Sequence, residues 1–295
     1  MNFDFISGDE LLLLTETQGL SIAEVMLRRE TARSDLSREE IIAEMRRNLD
    51  TMRSSVHKGL TERQKSVSGL SGGDAELLLK YSETPDAFSG EKVLKAVASS
   101  MAVVEVNASM GRIVAAPTAG ASGILPGALL ECGKGRGWDD DTLIMGLFAA
   151  SAVGMLIARN ASISGAAGGC QAETGAAASM AAAALVECAG GSPLKALHAA
   201  AIALKNVLGL VCDPVAGLVE CPCIKRNALG AVNAMISADM ALAGITSLIP
   251  FDEVVSAMYQ VGKDIRPEYR ETARGGLAAT PTAKAVTQRV KRMQG

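Results

Sequence analysis

The sequence predicts a mainly α-helical protein, folded as a single helical domain with glycine-rich loops. Serine-led helix-start motifs and apolar residues at helical spacing recur along the chain, whereas the alternating pattern of β-strands is scarce. Hydrophobic residues make up 48% of the 295 residues, but aromatic residues make up only 3%. That mixture favours closely packed helices with small side chains.

The first third of the chain is typical of surface-facing helices. Ser7, Ser21 and Ser37 are each followed three residues later by Glu, the capping-box pattern that starts a helix. After the third start, apolar residues recur along one helix face, at Ile41, Ile42, Met45, Leu49, Met52 and Val56. Glycines and serines in residues 66–74 then interrupt the pattern, as a linker or functional loop would. We expect residues 1–80 to form a helical segment that packs on a helical core of residues 81–295, within one continuous domain.

Beyond Glu91, helical patterns alternate with glycine-rich joints. Two alanine- and leucine-rich segments, Ala176 to Val186 and Pro193 to Leu208, carry few charges and are predicted to be covered core helices. The joints between such helices are residues 111–127, 163–175, 212–223 and 274–282. Functional residues are expected in these joints, because loops held by a rigid scaffold carry most binding and catalytic groups.

Charge and hydropathy exclude several classes of protein. The 29 basic and 32 acidic residues give a formal net charge of -3 without a long run of one sign, so neither nucleic acid nor a membrane surface is an expected partner. The longest apolar run, Leu143 to Ala158, is shorter than the roughly 20 residues that span a bilayer, and a buried helix fits better. No secretory signal precedes the first helix, so we expect a cytoplasmic protein with cysteines that are thiols or metal ligands.

Three of the six cysteines lie in loops rich in glycine and proline, namely Cys170, Cys212 and Cys223. Three thiolates at turns could hold three corners of an iron-sulfur cluster and leave one iron open as a Lewis acid. Four thiolates, with Cys221 as the fourth, would instead suit a closed structural zinc site. Cys188 is typical of a structural cysteine within a helix. The spacing alone leaves both metals open.

Polar groups near these cysteines are candidates for substrate binding. Residues 117–123 (PTAGASG) supply hydroxyls and backbone amides suited to a small carboxylate, and Asn160, Ser162 and Ser164 add donors just before Cys170. Arg226 and Asn227 follow Cys223 and are more typical of structural groups. The two histidines, His57 and His198, lie outside the cysteine loops, so a Ser-His-Asp hydrolase is poorly supported. Lys205 lies inside an apolar helix and is the lysine of interest, but nothing singles it out as the Schiff-base lysine of a pyridoxal phosphate site.

Four long motifs, at residues 105–127, 160–175, 208–228 and 270–282, resemble the alpha chain of the iron-sulfur-dependent L-serine dehydratases of the two-chain type. The resemblance implies a [4Fe-4S] cluster on Cys170, Cys212 and Cys223, no pyridoxal phosphate, and an open iron that binds serine. It also implies that Thr118, Ser122 and the turn from Ser162 to Gly165 line the substrate pocket. The full set of expected substrate contacts is Thr118, Ala119, Gly120, Ser122, Asn160, Ser162, Ser164 and Gly165.

The implied reaction is β-elimination of L-serine to pyruvate and ammonia, in serine catabolism and gluconeogenesis. Lys225, Lys205 and His57 are candidate bases, with a group from a separate beta subunit as the alternative. Cys221 stands where relatives have an aliphatic residue, and no cysteine follows Cys223 to occupy the fourth iron. Two other functions stay open: an iron-sulfur hydro-lyase of another small hydroxy acid, and a helical protein with structural zinc.

Overall fold

The computed structural model describes residues 3–294, which form thirteen α-helices and no β-strand, so the predicted helical fold class is confirmed. Within these residues the only β-type feature is an isolated bridge between Cys212 and Arg270. Shorter turns are 3-10 helical at Ala119–Ala121, Val215–Gly217, Pro267–Tyr269 and Gly276–Ala279, and π-helical at Gln171–Gly175. The α-helices are α1 Gly8–Gln18, α2 Ile22–Arg33, α3 Arg38–Thr61, α4 Asp74–Ser82, α5 Gly90–Ala108, α6 Ile124–Arg136, α7 Asp140–Asn160, α8 Gly165–Gly168, α9 Ala176–Cys188, α10 Pro193–Lys205, α11 Cys223–Leu242, α12 Phe251–Asp264 and α13 Pro281–Gln294.

All three serine-led helix starts are confirmed, because Ser7, Ser21 and Ser37 each accept a hydrogen bond from the amide three residues later. The reciprocal capping box forms at Ser37, whose amide donates to Glu40 at 2.8 Å. Glu24 instead pairs with Arg28 and Arg38 on the helix surface. The predicted helix from Pro193 to Leu208 ends three residues early, at Lys205, where a turn begins.

Acids from distant parts of the chain accept hydrogen bonds at the starts of three helices: α4, and also α1 and α2, whose local caps are Ser7 and Ser21. Glu105 of α5 accepts hydrogen bonds of 2.9 to 3.2 Å from three backbone amides at the start of α4. Glu187 of α9 accepts from the amide of Ala23 in α2 at 3.1 Å, and Asp252 of α12 accepts from the amide of Gly8 in α1 at 2.8 Å. Burial raises the pKa of both glutamates, although the amide hydrogen bonds oppose this. These caps join helices that are far apart in sequence.

The core is centred on α9, in which every residue from Ala176 to Val186 is buried. It packs against α6, α7, α10 and α11. Of the described helices, α7 alone is long and apolar enough to cross a membrane by length and composition, and 67% of its apolar window is buried inside the protein. This burial agrees with the interpretation of the run from Leu143 to Ala158 as a core helix.

Glycines allow α5 to approach its neighbours closely. A Cβ atom at Gly59 of α3 would overlap the backbone of Ala102, and one at Gly127 of α6 would lie 2.7 Å from the amide nitrogen of Ser100. Leu49 of α3 belongs to the same hydrophobic cluster as the central helices. The boundary near residue 80 stays a prediction.

Candidate active site

The three loop cysteines converge on one partly buried site. Cys170 is 5% exposed and precedes the π-helical turn, Cys212 is 3% exposed and lies between α10 and α11, and Cys223 is the first residue of α11. Burial raises the pKa of all three thiols, to about 12 for Cys223. The charge of Cys170 raises the pKa of the other two further, so these sulfurs lie within electrostatic reach of one another.

Gln171 fixes two of these cysteine segments relative to each other. Its backbone amide donates to the carbonyl of Leu210 at 2.9 Å, and its side-chain oxygen accepts from the amide of Gly209 at 2.9 Å. Its side-chain nitrogen donates to the carbonyl of Met258 in α12 at 2.9 Å. Gly169 permits this approach, because its φ is +77° and a Cβ atom would lie 2.9 Å from the Leu210 carbonyl. The π-helical turn that follows Cys170 is a distortion often found at functional sites.

Cys212 is also held by Tyr269 and by the adjacent fourth motif, residues 270–282. Its amide donates to the carbonyl of Tyr269 at 2.8 Å, and its carbonyl accepts from the amide of Glu271 at 2.7 Å. The neighbouring Asp213 accepts from the amide of Leu277 at 2.7 Å. A Cβ atom at Gly276, where φ is +56°, would overlap the Asp213 carboxylate, so this position favours glycine.

Arg226 places a positive charge among the thiols. It donates to Asp213 at 2.8 Å and to the carbonyl of Val211 at 2.8 Å. Burial lowers the pKa of Arg226, but the charges and hydrogen bonds of Cys170 and Asp213 outweigh burial and raise it. From the sequence, a structural role was favoured for this arginine, because an arginine near a helix start is usually structural.

Asn227, which is fully buried, attaches the loop of residues 117–123 to α11. Its side-chain nitrogen donates to the carbonyls of Gly120 at 2.7 Å and Cys223 at 2.9 Å, and its oxygen accepts from the amide of Gly123 at 3.0 Å. This loop therefore lies beside the cysteine site. The proximity depends on tertiary packing, since 107 residues separate Gly120 from Asn227.

The residues of this loop that were expected to contact substrate differ in whether their polar groups are already hydrogen-bonded within the chain. The buried Ser122 hydroxyl donates to the carbonyl of Ala119 at 2.8 Å and so stabilises its own turn. The Thr118 hydroxyl oxygen is buried and has no hydrogen-bond partner among the described residues. Ala119 is exposed and Gly120 partly exposed. Thr118 is thus the free hydroxyl of the loop.

Asn160, Ser162 and Ser164 are placed differently from one another. The Asn160 amide donates to the carbonyl of Ile6 at 2.8 Å, so this side chain joins α7 to the N-terminal region. The Ser162 hydroxyl accepts from the amide of Ser164 at 3.1 Å, within the turn. Gly165 lies next to the site, since a Cβ atom there would be 2.8 Å from the Cys212 sulfur.

Glu173 is the site residue that sequence reasoning missed, although it stands three residues after Cys170. Its carboxylate lies 3.9 Å from the Cys212 sulfur. Burial raises its pKa, and the nearby Glu271 raises it further, whereas Thr118 and Cys212 lower it. The Thr118 hydroxyl, which has no other partner among the described residues, lies close enough to this carboxyl to lower its pKa.

The side chains of the three candidate bases contact groups other than the three cysteines. Lys225 forms an ion pair with Asp74, and Lys205 donates to the carbonyl and hydroxyl oxygens of Ser247. His57 lines a surface cavity with Leu130 and Trp138, among others. In the part of the chain that the structure describes, no hydrogen bond or ion pair connects these side chains with the three cysteines, and the base stays unassigned.

The cysteine site fits the two metal groups predicted from the sequence, a single zinc ion and an iron-sulfur cluster, unequally. Across residues 3–294, no three His, Cys, Asp or Glu side chains are close enough to hold a single metal ion. Cys221, the fourth thiolate of the zinc interpretation, is exposed. The three cysteines lie on separate loops with Arg226 beside them, and Gly165 has no side chain to fill the space next to Cys212. This arrangement fits a group that is larger than a single ion and prefers thiolate ligands.

Comparisons with known proteins show the family to which the chain belongs. The family model for the serine dehydratase alpha chain matches residues 17–278. The probable L-serine dehydratase alpha chain of Bacillus subtilis is 51% identical over 286 residues, which cover 97% of this chain and 95% of that one. The L-serine dehydratase alpha chain of Peptoniphilus asaccharolyticus is 44% identical over 277 residues, 94% of this chain and 95% of that one. The L-serine dehydratase of Streptomyces coelicolor is 43% identical over 284 residues, 94% of this chain but 61% of that one. The chain belongs to the serine dehydratase alpha-chain family.

Proposed function

We propose that the chain is the iron-sulfur alpha subunit of an L-serine dehydratase, which converts L-serine to pyruvate and ammonia without pyridoxal phosphate. The observation that carries the proposal is the convergence of Cys170, Cys212 and Cys223 beside the loop of residues 117–123. Relatives named L-serine dehydratase alpha chain support the reaction and the substrate.

Cys170, Cys212 and Cys223 would hold a [4Fe-4S] cluster. When bound, such a cluster supplies a Lewis-acidic iron that polarises the substrate hydroxyl. Arg226 offsets the negative charge that three thiolates bring together. Hydrogen bonds from Gln171 and to Asp213 keep the cysteine loops in place, so the site is organised before substrate arrives.

The reaction requires removal of the serine Cα proton and loss of hydroxide. The backbone of residues 118–120 and the Thr118 hydroxyl lie where they can orient the substrate carboxylate, and Asn227 stiffens that loop. The beta subunit is the proposed source of the base, because Lys205 and Lys225 both have other partners. The name alpha chain in the relatives supports such a partner. A cytoplasmic location is supported by the six free thiols.

The test is an anaerobic assay of pyruvate release from L-serine, after co-expression with the beta subunit and cluster reconstitution. Cys223→Ala should abolish activity, and the exposed neighbour Cys221→Ala is the matched control that should keep it. Iron and acid-labile sulfide analysis distinguishes a cluster from zinc. Wild-type enzyme with a verified cluster that forms no pyruvate would redirect the proposal to another small hydroxy acid.

A further inference from the structure

Glu173 lies between the two glycine-rich loops of the site. A Cβ atom at Gly120 would be 3.2 Å from one carboxylate oxygen of Glu173, and a Cβ atom at Gly165 would be 2.7 Å from the other. The carboxylate therefore occupies space that is open because both loops present glycine at the point of approach. It faces the same region as the loop of residues 117–123.

The Glu173 carboxylate has no positively charged partner among the described residues. Within residues 3–294 it forms no ion pair, and its polar neighbours are the Cys212 thiol at 3.9 Å and the Thr118 hydroxyl. A Cys212 sulfur that binds iron is a thiolate and has no proton to donate. One hydroxyl donor does not balance the charge of a half-buried carboxylate, so the site favours a cation as a further partner. The Thr118 oxygen has no other partner among the described residues, so it can also accept a hydrogen bond.

The nearby cation, Arg226, does not fill that role, because it is bonded to Asp213 and Val211. L-Serine brings one cation to this site, its α-ammonium group, which has three donors. We propose that Glu173 binds the α-ammonium group of L-serine, with the Thr118 hydroxyl as a second acceptor. This inference rests on the proposed function and adds the residue that selects amino acids over hydroxy acids.

The same geometry explains which substrates should be rejected. A hydroxy acid lacks the ammonium group and leaves the Glu173 carboxylate without a cationic partner. A dicarboxylic acid brings a second carboxylate, which the negative charge of Glu173 repels. Selection by a buried charged group is stronger than selection by an apolar pocket, because the wrong ligand leaves that group without a partner.

The experiment measures equilibrium binding and turnover of L-serine by the reconstituted holoenzyme with its beta subunit, under anaerobic conditions. The comparison ligand is 3-hydroxypropionate, which lacks the amino group. Glu173→Gln should weaken L-serine binding and raise KM by about 100-fold, whereas 3-hydroxypropionate should bind as tightly as before or more tightly. Glu173→Asp, which keeps the charge, should recover part of the affinity. Glu253→Gln is the control and should leave both ligands unaffected, since this exposed carboxylate of α12 forms no hydrogen bond or ion pair with the site residues within residues 3–294.

Equal losses for both ligands in Glu173→Gln, with cluster content unchanged, would overturn the inference and indicate a structural role. Unchanged L-serine affinity would overturn it as well. If Glu173→Gln fails to fold or to keep its cluster, Glu173→Asp is compared with wild type instead. An equal loss of affinity for L-serine and for 3-hydroxypropionate in Glu173→Asp would exclude an ammonium contact. Wild-type holoenzyme that binds L-serine but forms no pyruvate counts against the proposed function alone, and the binding comparison still tests Glu173.

Discussion

Substitution of Gly165 by alanine should weaken cluster retention much more than it weakens the fold. The added Cβ atom would lie 2.7 Å from a Glu173 carboxylate oxygen and 2.8 Å from the Cys212 sulfur. Favourable non-bonded contacts are about 3.5 to 4.0 Å, so one of the three groups must move by roughly 1 Å. Without the proposed cluster, no metal bond restrains the Cys212 side chain, so it can rotate away from the added Cβ atom. If Cys212 binds the proposed cluster, its sulfur is fixed and the strain falls on the metal-bound state.

The magnitude follows from the size of the overlap. Forcing one extra methyl group into a packed site costs about 1 to 3 kcal/mol. If that strain is confined to the metal-bound state, the Gly165→Ala protein should hold its cluster about 5- to 150-fold less tightly. Unfolding of the cluster-free protein in urea should change by less than about 1 kcal/mol.

The assay compares iron and acid-labile sulfide per chain after anaerobic incubation with a competing chelator. Gly168→Ala in the same short helix is the control, because the nearest atom to its added Cβ is the Ala172 methyl group at 3.2 Å, away from the cysteines. Equal cluster retention in wild type and Gly165→Ala would refute the reasoning, as would an equal loss in Gly168→Ala.

Three further predictions concern stability. Glu105→Ala removes the acceptor of three amides at the start of α4 and should lower the free energy of unfolding by about 2 to 3 kcal/mol in urea titrations. Asp213→Asn breaks a buried pair with Arg226 and should cost about 3 kcal/mol, measured in the same way. Burial raises the folded pKa of Glu105 above its ordinary value of 4.5, so folding favours its protonated form. As pH rises from about 4.5 through that raised pKa, wild type should lose stability relative to Glu105→Gln.

Glu76, in the helix whose start Glu105 caps, provides the control for the capping prediction. Glu76→Ala removes a surface ion pair with Lys80 in α4 and should leave stability nearly unchanged. A loss in Glu105→Ala no larger than that of Glu76→Ala would contradict the capping role. Unchanged stability in Asp213→Asn would show that the pair with Arg226 contributes nothing net. A difference between wild type and Glu105→Gln that grows in favour of wild type with rising pH would have the wrong sign.

The helices were largely predictable because their signals are local. Ser37 with Glu40 marks a helix start within four residues, and the apolar residues from Ala176 to Val186 mark a core helix by composition. The predicted end of α10 was wrong by three residues, because Leu208 continues the apolar pattern after a turn has begun at Asn206. Turn formation there depends on tertiary context.

The site was predictable only in part, because its geometry arises from distant segments. The sequence indicated Cys170, Cys212 and Cys223, and the structure brings them together, although their role as ligands stays a prediction. It did not indicate that Ser122 bonds within its own turn or that Asn160 bonds to Ile6. Both contacts depend on the folded backbone, which residue type alone does not specify.

The distant caps have a consequence for synthesis. Gly8 and its cap Asp252 are 244 residues apart, and Ala23 and its cap Glu187 are 164 residues apart. A nascent chain leaves the ribosome from its N-terminus, so the starts of α1 and α2 emerge long before the acids that satisfy them. Contacts of such separation form slowly. The first helices to be translated should therefore be among the last to reach their native state.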